Sequence, residues 1–554
     1  MPGSAIRQFM SSLRHALQSK RDTIAALVVP LPLLGYWIYW TLHPSYWFNA
    51  DPAALYLVDS LSAFIGKTYV YVDHPGTPVQ VIGSVLLALA YPFFHSREAF
   101  IQFFLVRPNV FFFIANVFLL AANVFTAVVF YKTVVRDLTH NRILAALALS
   151  LLFFTLHPHS FPSLTFWSHN SLNFPFGTLL LLWLYRELRD REAIRPEKLI
   201  LLGLGSGILS VAQMYFVAWL VSLIFTIVVY SLRTGRGWKQ AAVSGLYVTV
   251  GGMIGILLML LPIYKEIPRF MVWLLGIITH LGLYGSGESG VYSLRLLSAS
   301  IGYWWTTIRP MILLLIATVI LLGLLIYWSR RTIVAIPAAD FAMLVGLLFH
   351  TGLVLLLMTK AALKLRYSLS LAAILPVLVF LVLKLLESTP WRINRFLPLF
   401  YGVALVGVVA SMVSQIQLAD QRAYQEQDAQ LAKVQAINRL AKEKKVKEDD
   451  IVVVYAYSVP LKCAGMLQAT NWIGNFQKEM NEICPNQYAI WDSSIKLNTA
   501  VRVRDIEDIN WDIVIWPGNG TDLPKYLYAK GAITIPDSWH VRRSKWFFIH
   551  PIAE

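Results

Sequence analysis

Phe48-Asn49-Ala50-Asp51-Pro52 opens a stretch that runs through an amphipathic segment to Tyr71-Val72-Asp73-His74-Pro75-Gly76-Thr77-Pro78 and on into the apolar residues 78–95. Whether 78–95 crosses a bilayer decides the orientation of everything after it, because each crossing inverts the side on which the next loop emerges. The segment is modest in length for a hydrocarbon core about 30 Å thick, contains Pro92 and is followed by Arg97 and Glu98. Its own composition therefore fits a span and an interfacial helix equally well. The charges of the remaining loops decide between them.

Those loops belong to a chain with 57% hydrophobic and 14% charged residues and a mean hydropathy of +0.58. Such a composition excludes an ordinary soluble domain and fits a polytopic membrane protein. The net charge of +16 sits mostly in short loops between apolar runs, so it is a statement about topology, and no nucleic-acid partner is expected. Arg7, Arg14, Lys20 and Arg21 hold residues 1–22 in the cytoplasm ahead of a first span at 23–42, and no cleavable signal peptide is expected.

The later spans read as 108–131, 143–157, 171–186, 199–212, 215–231, 241–263, 301–327, 338–359, 368–386 and 397–414. If 78–95 does not cross, the loops bearing Lys132 and Arg136, Arg186 to Lys198, Arg233 to Lys239, Arg330 and Arg331, and Lys384 to Arg395 all lie inside. If it crosses, all lie outside, against the positive-inside rule. The expectation is eleven spans, a membrane domain over 23–414 and a first external loop from 43 to 107. The short pair 199–212 and 215–231 reads as a hairpin. Gly203, Gly205 and Gly207 permit its close packing and Tyr215 lies at its external tip.

After 414 the composition changes. A Gln-, Ala-, Lys- and Glu-rich stretch leads into strand-like runs at Ile451–Tyr457, Tyr488–Trp491, Asp512–Trp516 and Trp546–Ile549, interleaved with helical signals, so 415–554 is expected to be a small soluble α/β domain. Eleven spans place it outside the cytoplasm, where Cys463 and Cys484, the two cysteines of the chain, are able to pair; two unpaired buried thiols are the alternative.

The external carboxylates of the membrane domain are few: Asp51, Asp59, Asp73, Glu98, Glu266 and Glu288. Asp51 precedes Pro52 and a run with Leu55, Val58, Leu61, Phe64 and Ile65 at helical spacing, so it suits a helix cap and, held rigidly there, a general base. Asp59 reads as an exposed residue on the polar face of that helix. Asp73 and His74 precede a turn in which Thr77 reads as the N-cap and Pro78 as the first helical residue, and an adjacent acid and imidazole suit a phosphate-linked donor or an acceptor. A divalent metal there would have only two or three ligands without recognisable spacing, so no cofactor is expected.

A second external loop carries His157, His159, Trp167 and His169; the last two suit stacking on a sugar ring, and the group suits interfacial anchoring equally. Tyr71, Tyr215 and Glu288, the last in the glycine-rich stretch 285–290, complete the external candidates for substrate contact. Lys360, Lys364 and Arg366, beside Tyr367, sit at an external span junction against the charge bias, as a site for an anionic lipid headgroup would. Arg309, just inside a span before Pro310, faces a polar interior or snorkels.

On Asp51 near the start of a long external loop, His74-Pro75-Gly76-Thr77-Pro78 later in it and Lys364-Leu365-Arg366-Tyr367 near the last spans, the layout resembles the C-type (GT-C) integral-membrane glycosyltransferases, in particular their protein O-mannosyltransferase and aminoarabinose-transferase branch. The resemblance covers residues 1–414. It implies inverting transfer of a sugar from a polyprenyl-phosphate donor, with Asp51 as base and Arg366, Lys364, Lys360, His74 and Arg309 toward the donor phosphate. The acceptor, a lipid, glycan or protein, is not identified. His169, Asn170 and Asn173 stand where relatives often carry an acid, and the Asp-Glu pair common near the first aspartate is absent. A lipid-linked glycan transporter and a noncatalytic scaffold are the competing readings.

Overall fold

The computed structural model describes residues 50–72, 76–137, 166–190, 194–213, 217–279, 293–330, 336–359, 371–387, 451–456, 462–484, 487–491, 513–516 and 533–534, with residues 34, 35, 37–39, 41, 164, 406, 410 and 413 besides. By contacts the chain divides into a unit of Met1–Pro44 with Asp59–Ile416 and a unit of Ser45–Val58 with Gln417–Glu554.

The helices follow in chain order: α1 (Leu55–Ser62), α2 (Thr77–Ala90), α3 (Arg97–Val106), α4 (Pro108–Asp137), α5 (Thr178–Asp190), α6 (Pro196–Ala212), α7 (Val217–Arg233), α8 (Gly237–Leu260), α9 (Ile267–Thr279), α10 (Leu294–Thr307), α11 (Arg309–Arg330), α12 (Ala338–Met358) and α13 (Ile374–Glu387). Among the described residues, four segments are long and apolar enough to cross a membrane: Pro108–Val134, Gly237–Gly276, Met311–Trp328 and Ala338–Met358. This is a helical membrane protein. The expected spans 23–42, 143–157 and 397–414 lie wholly or largely outside the described residues.

The segment 78–95 is the first helix of a bent pair. Thr77–Phe93 and Arg97–Val106 meet at 119°. The break falls where Pro92 cannot donate a backbone hydrogen bond, and Ser96 restarts the helix by accepting from the Ala99 amide at 3.1 Å. Aromatic rings fill the elbow, with Phe100 meeting Tyr91 and Phe94 edge-on at 5.2 Å each.

Two expected spans are corrected in detail. The run 301–327 is two helices, broken at Ile308, whose φ −125 and ψ 31 leave the helical region. Pro310 causes this, since it lacks an N–H and crowds the residue before it. The run 171–186 begins as a 3-10 turn at His169–Leu172 and a π-turn at Asn173–Gly177, and becomes α-helical only at Thr178. Pro175 again removes the donor a regular turn would use.

The tightest helix pair is α6 on α8, where glycines let the backbones touch. A Cβ on Gly203 would lie 2.1 Å from the Val248 carbonyl oxygen, one on Gly207 2.1 Å from that of Gly252, and one on Gly251 2.0 Å from that of Ile200. The partners advance together along both chains, so α6 and α8 run parallel, and α7 returns between them. Gly205 belongs to another face, where its Cβ would meet only the end of Leu180 at 3.3 Å. The hairpin reading of 199–231 thus has two of its three glycines serving α8 rather than α7.

In the other unit, β1 (Ile451–Ala456), β2 (Gln487–Trp491), β3 (Ile513–Trp516) and β4 (Ile533–Thr534) form a sheet in the order β2-β1-β3-β4. All pairings are parallel, with Val453 opposite Tyr488 on one side and Ile515 on the other. The unbroken apolar run Ile451–Val454 has the composition expected of a central strand in a parallel sheet. Helices α14 (Lys462–Ile473) and α15 (Gln477–Ile483) supply the crossover that parallel β1 and β2 require. The strand expected at Trp546–Ile549 lies outside the described residues, and the two-residue β4 is too short to have a sequence signal. Cys484 is buried and disulfide-bonded; Cys463 is the only other cysteine of the chain.

Candidate functional site

The segment that opened the sequence reading is organised by Asp59. The carboxylate is fully buried, which corrects the expectation of an exposed polar face. It accepts hydrogen bonds from the Val70 amide at 3.1 and 3.2 Å, the Tyr71 amide at 2.8 Å and Gln80 Nε2 at 2.8 Å. Gln80 Nε2 also donates to the Tyr71 carbonyl at 2.9 Å. One acid on α1 thus holds an extended segment, Tyr69–Val72, and the first turns of α2. Burial pushes its carboxyl up to about 7, against the lowering effect of the Tyr71, Val70 and Gln80 hydrogen bonds and of the Arg269 charge.

Further bonds fix the same arrangement. The Tyr69 and Ser84 hydroxyls share a hydrogen bond at 2.8 Å, and Ser84 Oγ donates to the Ser60 carbonyl at 3.2 Å. Gly83 is required where α1 meets α2, because a Cβ there would lie 2.4 Å from Ser60 Oγ. On its far side, the Tyr69 amide donates to the Pro262 carbonyl at 3.2 Å, and Tyr69, Val72 and Ile263 form a small apolar cluster. The segment immediately before Asp73 is therefore pinned to α1, to α2 and to the turn Leu261–Glu266 that follows α8.

Asp51 stands in a π-turn, Ala50–Ala54, ahead of α1. That turn packs against α14 and belongs to the unit containing the sheet. Asp73 and His74 lie outside the described residues, as do Tyr215, Glu288, Lys360, Lys364 and Arg366. The helix after His74 begins one residue earlier than expected. Thr77 is its first residue, and Gly76 takes the cap position at φ +52, a conformation glycine adopts at little cost. Tyr71 is buried, with its amide on Asp59.

Trp167 and His169 are buried too, at 1% and 0% exposure. The Trp167 ring meets Phe111 edge-on at 5.7 Å, and its amide donates to Asn116 Oδ1 at 3.0 Å. Neither side chain presents a face to solvent on which a sugar would stack. Arg309 is exposed at the start of α11, where it donates to the Trp305 carbonyl at 3.3 Å and lies over the Trp305 ring at 5.4 Å. Among the described residues, no three His, Cys, Asp or Glu side chains converge as a metal site would need.

A second buried carboxylate escaped the sequence reading. Asp340, in the first turn of α12, accepts from Lys384 Nζ at 2.9 Å and from the Tyr185 hydroxyl at 2.8 Å. Lys384 Nζ also donates to that hydroxyl at 2.6 Å. The cluster joins the start of α12 to the ends of α5 and α13, so these three ends lie on one side. Helix dipoles favour the arrangement, with an acid at an N-terminus and a base at a C-terminus.

No family model, curated protein or solved structure matches this chain.

Proposed function

We propose that this protein is a GT-C glycosyltransferase of the cell membrane that moves a sugar from a polyprenyl-phosphate donor to an acceptor on the extracytoplasmic face. In this reading an acceptor hydroxyl or amine attacks the anomeric carbon. The bond from that carbon to the phosphate oxygen breaks, Asp51 takes the acceptor proton, and polyprenyl phosphate leaves toward Lys360, Lys364, Arg366, His74 and Arg309. The chemistry as written needs no metal.

The observation that carries the proposal is the anchoring of Tyr69–Val72 to the turn after α8. Contact requires the two segments to share a side. With the intervening spans at 108–131, 143–157, 171–186, 199–212, 215–231 and 241–263, that holds only if 78–95 does not cross. The positive-inside count demands the same. On the same set of spans, the contact and the charge count both support a long first external loop, the feature on which the resemblance to GT-C enzymes rests. The shared side of the ends of α5 and α13 and the start of α12 fits the same eleven-span count, because an even number of crossings separates them. A disulfide at Cys484 supports an extracytoplasmic C-terminal domain, since such bonds persist in oxidising compartments.

Asp51→Asn tests the proposal directly. Membranes carrying the variant, given a polyprenyl-phosphate sugar, should bind the donor as the parent does and lose transfer by 100-fold or more, in line with a general base contributing roughly 10²–10⁴. Undiminished transfer would remove the assignment, and loss of net lipid flipping instead would select the transporter.

A further inference from the structure

In the membrane unit, α5, α7 and α12 close around a cavity of about 20 Å³. That is room for one water molecule, which needs roughly 10–15 Å³ measured in this way. Most of the wall is aliphatic, and its polar groups come from Trp219, Ser222, Thr226 and His350.

Two of these are already committed. Trp219 Nε1 donates to Asn173 Oδ1 at 2.8 Å, and Thr226 Oγ1 donates to the Ser222 carbonyl at 2.7 Å. The other two are not. His350 is 2% exposed and Ser222 4%, and neither imidazole nitrogen of His350 nor the Ser222 hydroxyl makes a hydrogen bond of acceptable geometry to any described residue. The Ala218 carbonyl acts on the imidazole from α7 but does not reach that geometry. The ring lies against Trp219 at 4.4 Å between centroids. An imidazole and a hydroxyl that both line a water-sized space whose remaining wall is mostly aliphatic form a polar site of defined capacity. Buried polar groups of this kind are satisfied by protein or by ordered water.

We propose that this cavity is a binding site for a single water molecule that bridges the His350 imidazole and the Ser222 hydroxyl. Neutral imidazole offers one donor and one acceptor and the hydroxyl offers both, so a water with two donors and two acceptors matches either tautomer. The site ties the middle of α12 to α7 through polar contacts inside an otherwise apolar interface. It is independent of the glycosyl-transfer reading.

The test uses the full chain in detergent or nanodiscs. Ser222→Val fills the space and expels the guest, leaving His350 without a partner. The expected result is a lower Tm, restored to the parent value or above when His350→Phe is added, because no polar group then needs satisfying. A dry cavity predicts the reverse, with Ser222→Val alone raising Tm or leaving it unchanged, and either result overturns the proposal. If Ser222→Val does not fold, the parent protein decides the matter at a resolution that shows ordered water. Density within hydrogen-bond reach of both His350 and Ser222 supports the site, and a clear map with no such density overturns it.

Discussion

Replacing Asp59 with Asn should flatten the dependence of stability on pH, because the buried carboxyl carries a proton more tightly in the folded protein than in the unfolded chain. Its ordinary value of 3.8 is raised to about 7. A folded value above the unfolded one means that protonation favours the fold. The contribution is therefore fully present below about pH 4, declines as pH rises from about 4 to about 7, and is absent above that. Three pH units at about 1.4 kcal/mol each set the full swing at roughly 4 kcal/mol. Asn has no proton to lose across this window, so the part of the profile due to Asp59 disappears.

At the acid end of the window, where the parent carboxyl is protonated in both states, Asn should also cost stability. It keeps the Oδ2 acceptor for the Tyr71 amide, Gln80 and the 3.2 Å contact from the Val70 amide, but its amide nitrogen then replaces Oδ1, 3.1 Å from the Val70 N–H, and sets two donors against each other. Exchanging that acceptor for a donor costs about 1–3 kcal/mol. The assay is thermal unfolding of the detergent-solubilised protein from pH 4.5 to 8, parent against Asp59→Asn. Curves that approach and then cross as pH rises, leaving the variant the more stable at pH 8, support the reasoning, because the roughly 4 kcal/mol swing exceeds the cost of the exchanged acceptor. Parallel curves over the whole range would refute it, since they would mean that Asp59 does not titrate between folding states.

The glycine contacts predict a graded series. Gly207→Ala should sharply reduce the yield of folded protein, because its Cβ meets backbone at 2.1 Å, whereas Gly205→Ala meets only a flexible leucine tip at 3.3 Å and should be tolerated. Size-exclusion profiles of the two variants check this. Lys384→Met should destabilise by about 3 kcal/mol or more, since it leaves Asp340 buried with only the Tyr185 hydroxyl. Adding Asp340→Leu should restore most of the loss, and thermal melts of the single and double variants read it. Cys484→Ser should lower C-terminal stability by about 3 kcal/mol, the loop-closure figure for the 463–484 spacing. Faster protease cleavage of that region, matched in the parent by added reductant, is the expected readout.

The sequence alone was sufficient for the elements with strong local signals. Apolar runs free of proline, such as Pro108–Val134 after its first residue and Ala338–Met358, are helical because nothing in them interrupts the backbone ladder. The run Ile451–Val454 reads as a buried strand because parallel strands are apolar on both faces. Gly203 and Gly207 announce a close helix contact by their spacing.

Partners were not legible in this way. Nothing in the sequence says that those glycines face α8 rather than α7, because that depends on what packs alongside. Asp59 makes the same point most clearly. Its helical position is indistinguishable from a solvent-facing one, since the sequence does not reveal that the chain turns at Gly66 and returns Val70, Tyr71 and Gln80 as donors. Charge and hydropathy, which are additive along the chain, settled the class, a helical membrane protein. The burial of a single carboxylate, which depends on three segments meeting, was decided only by the tertiary structure.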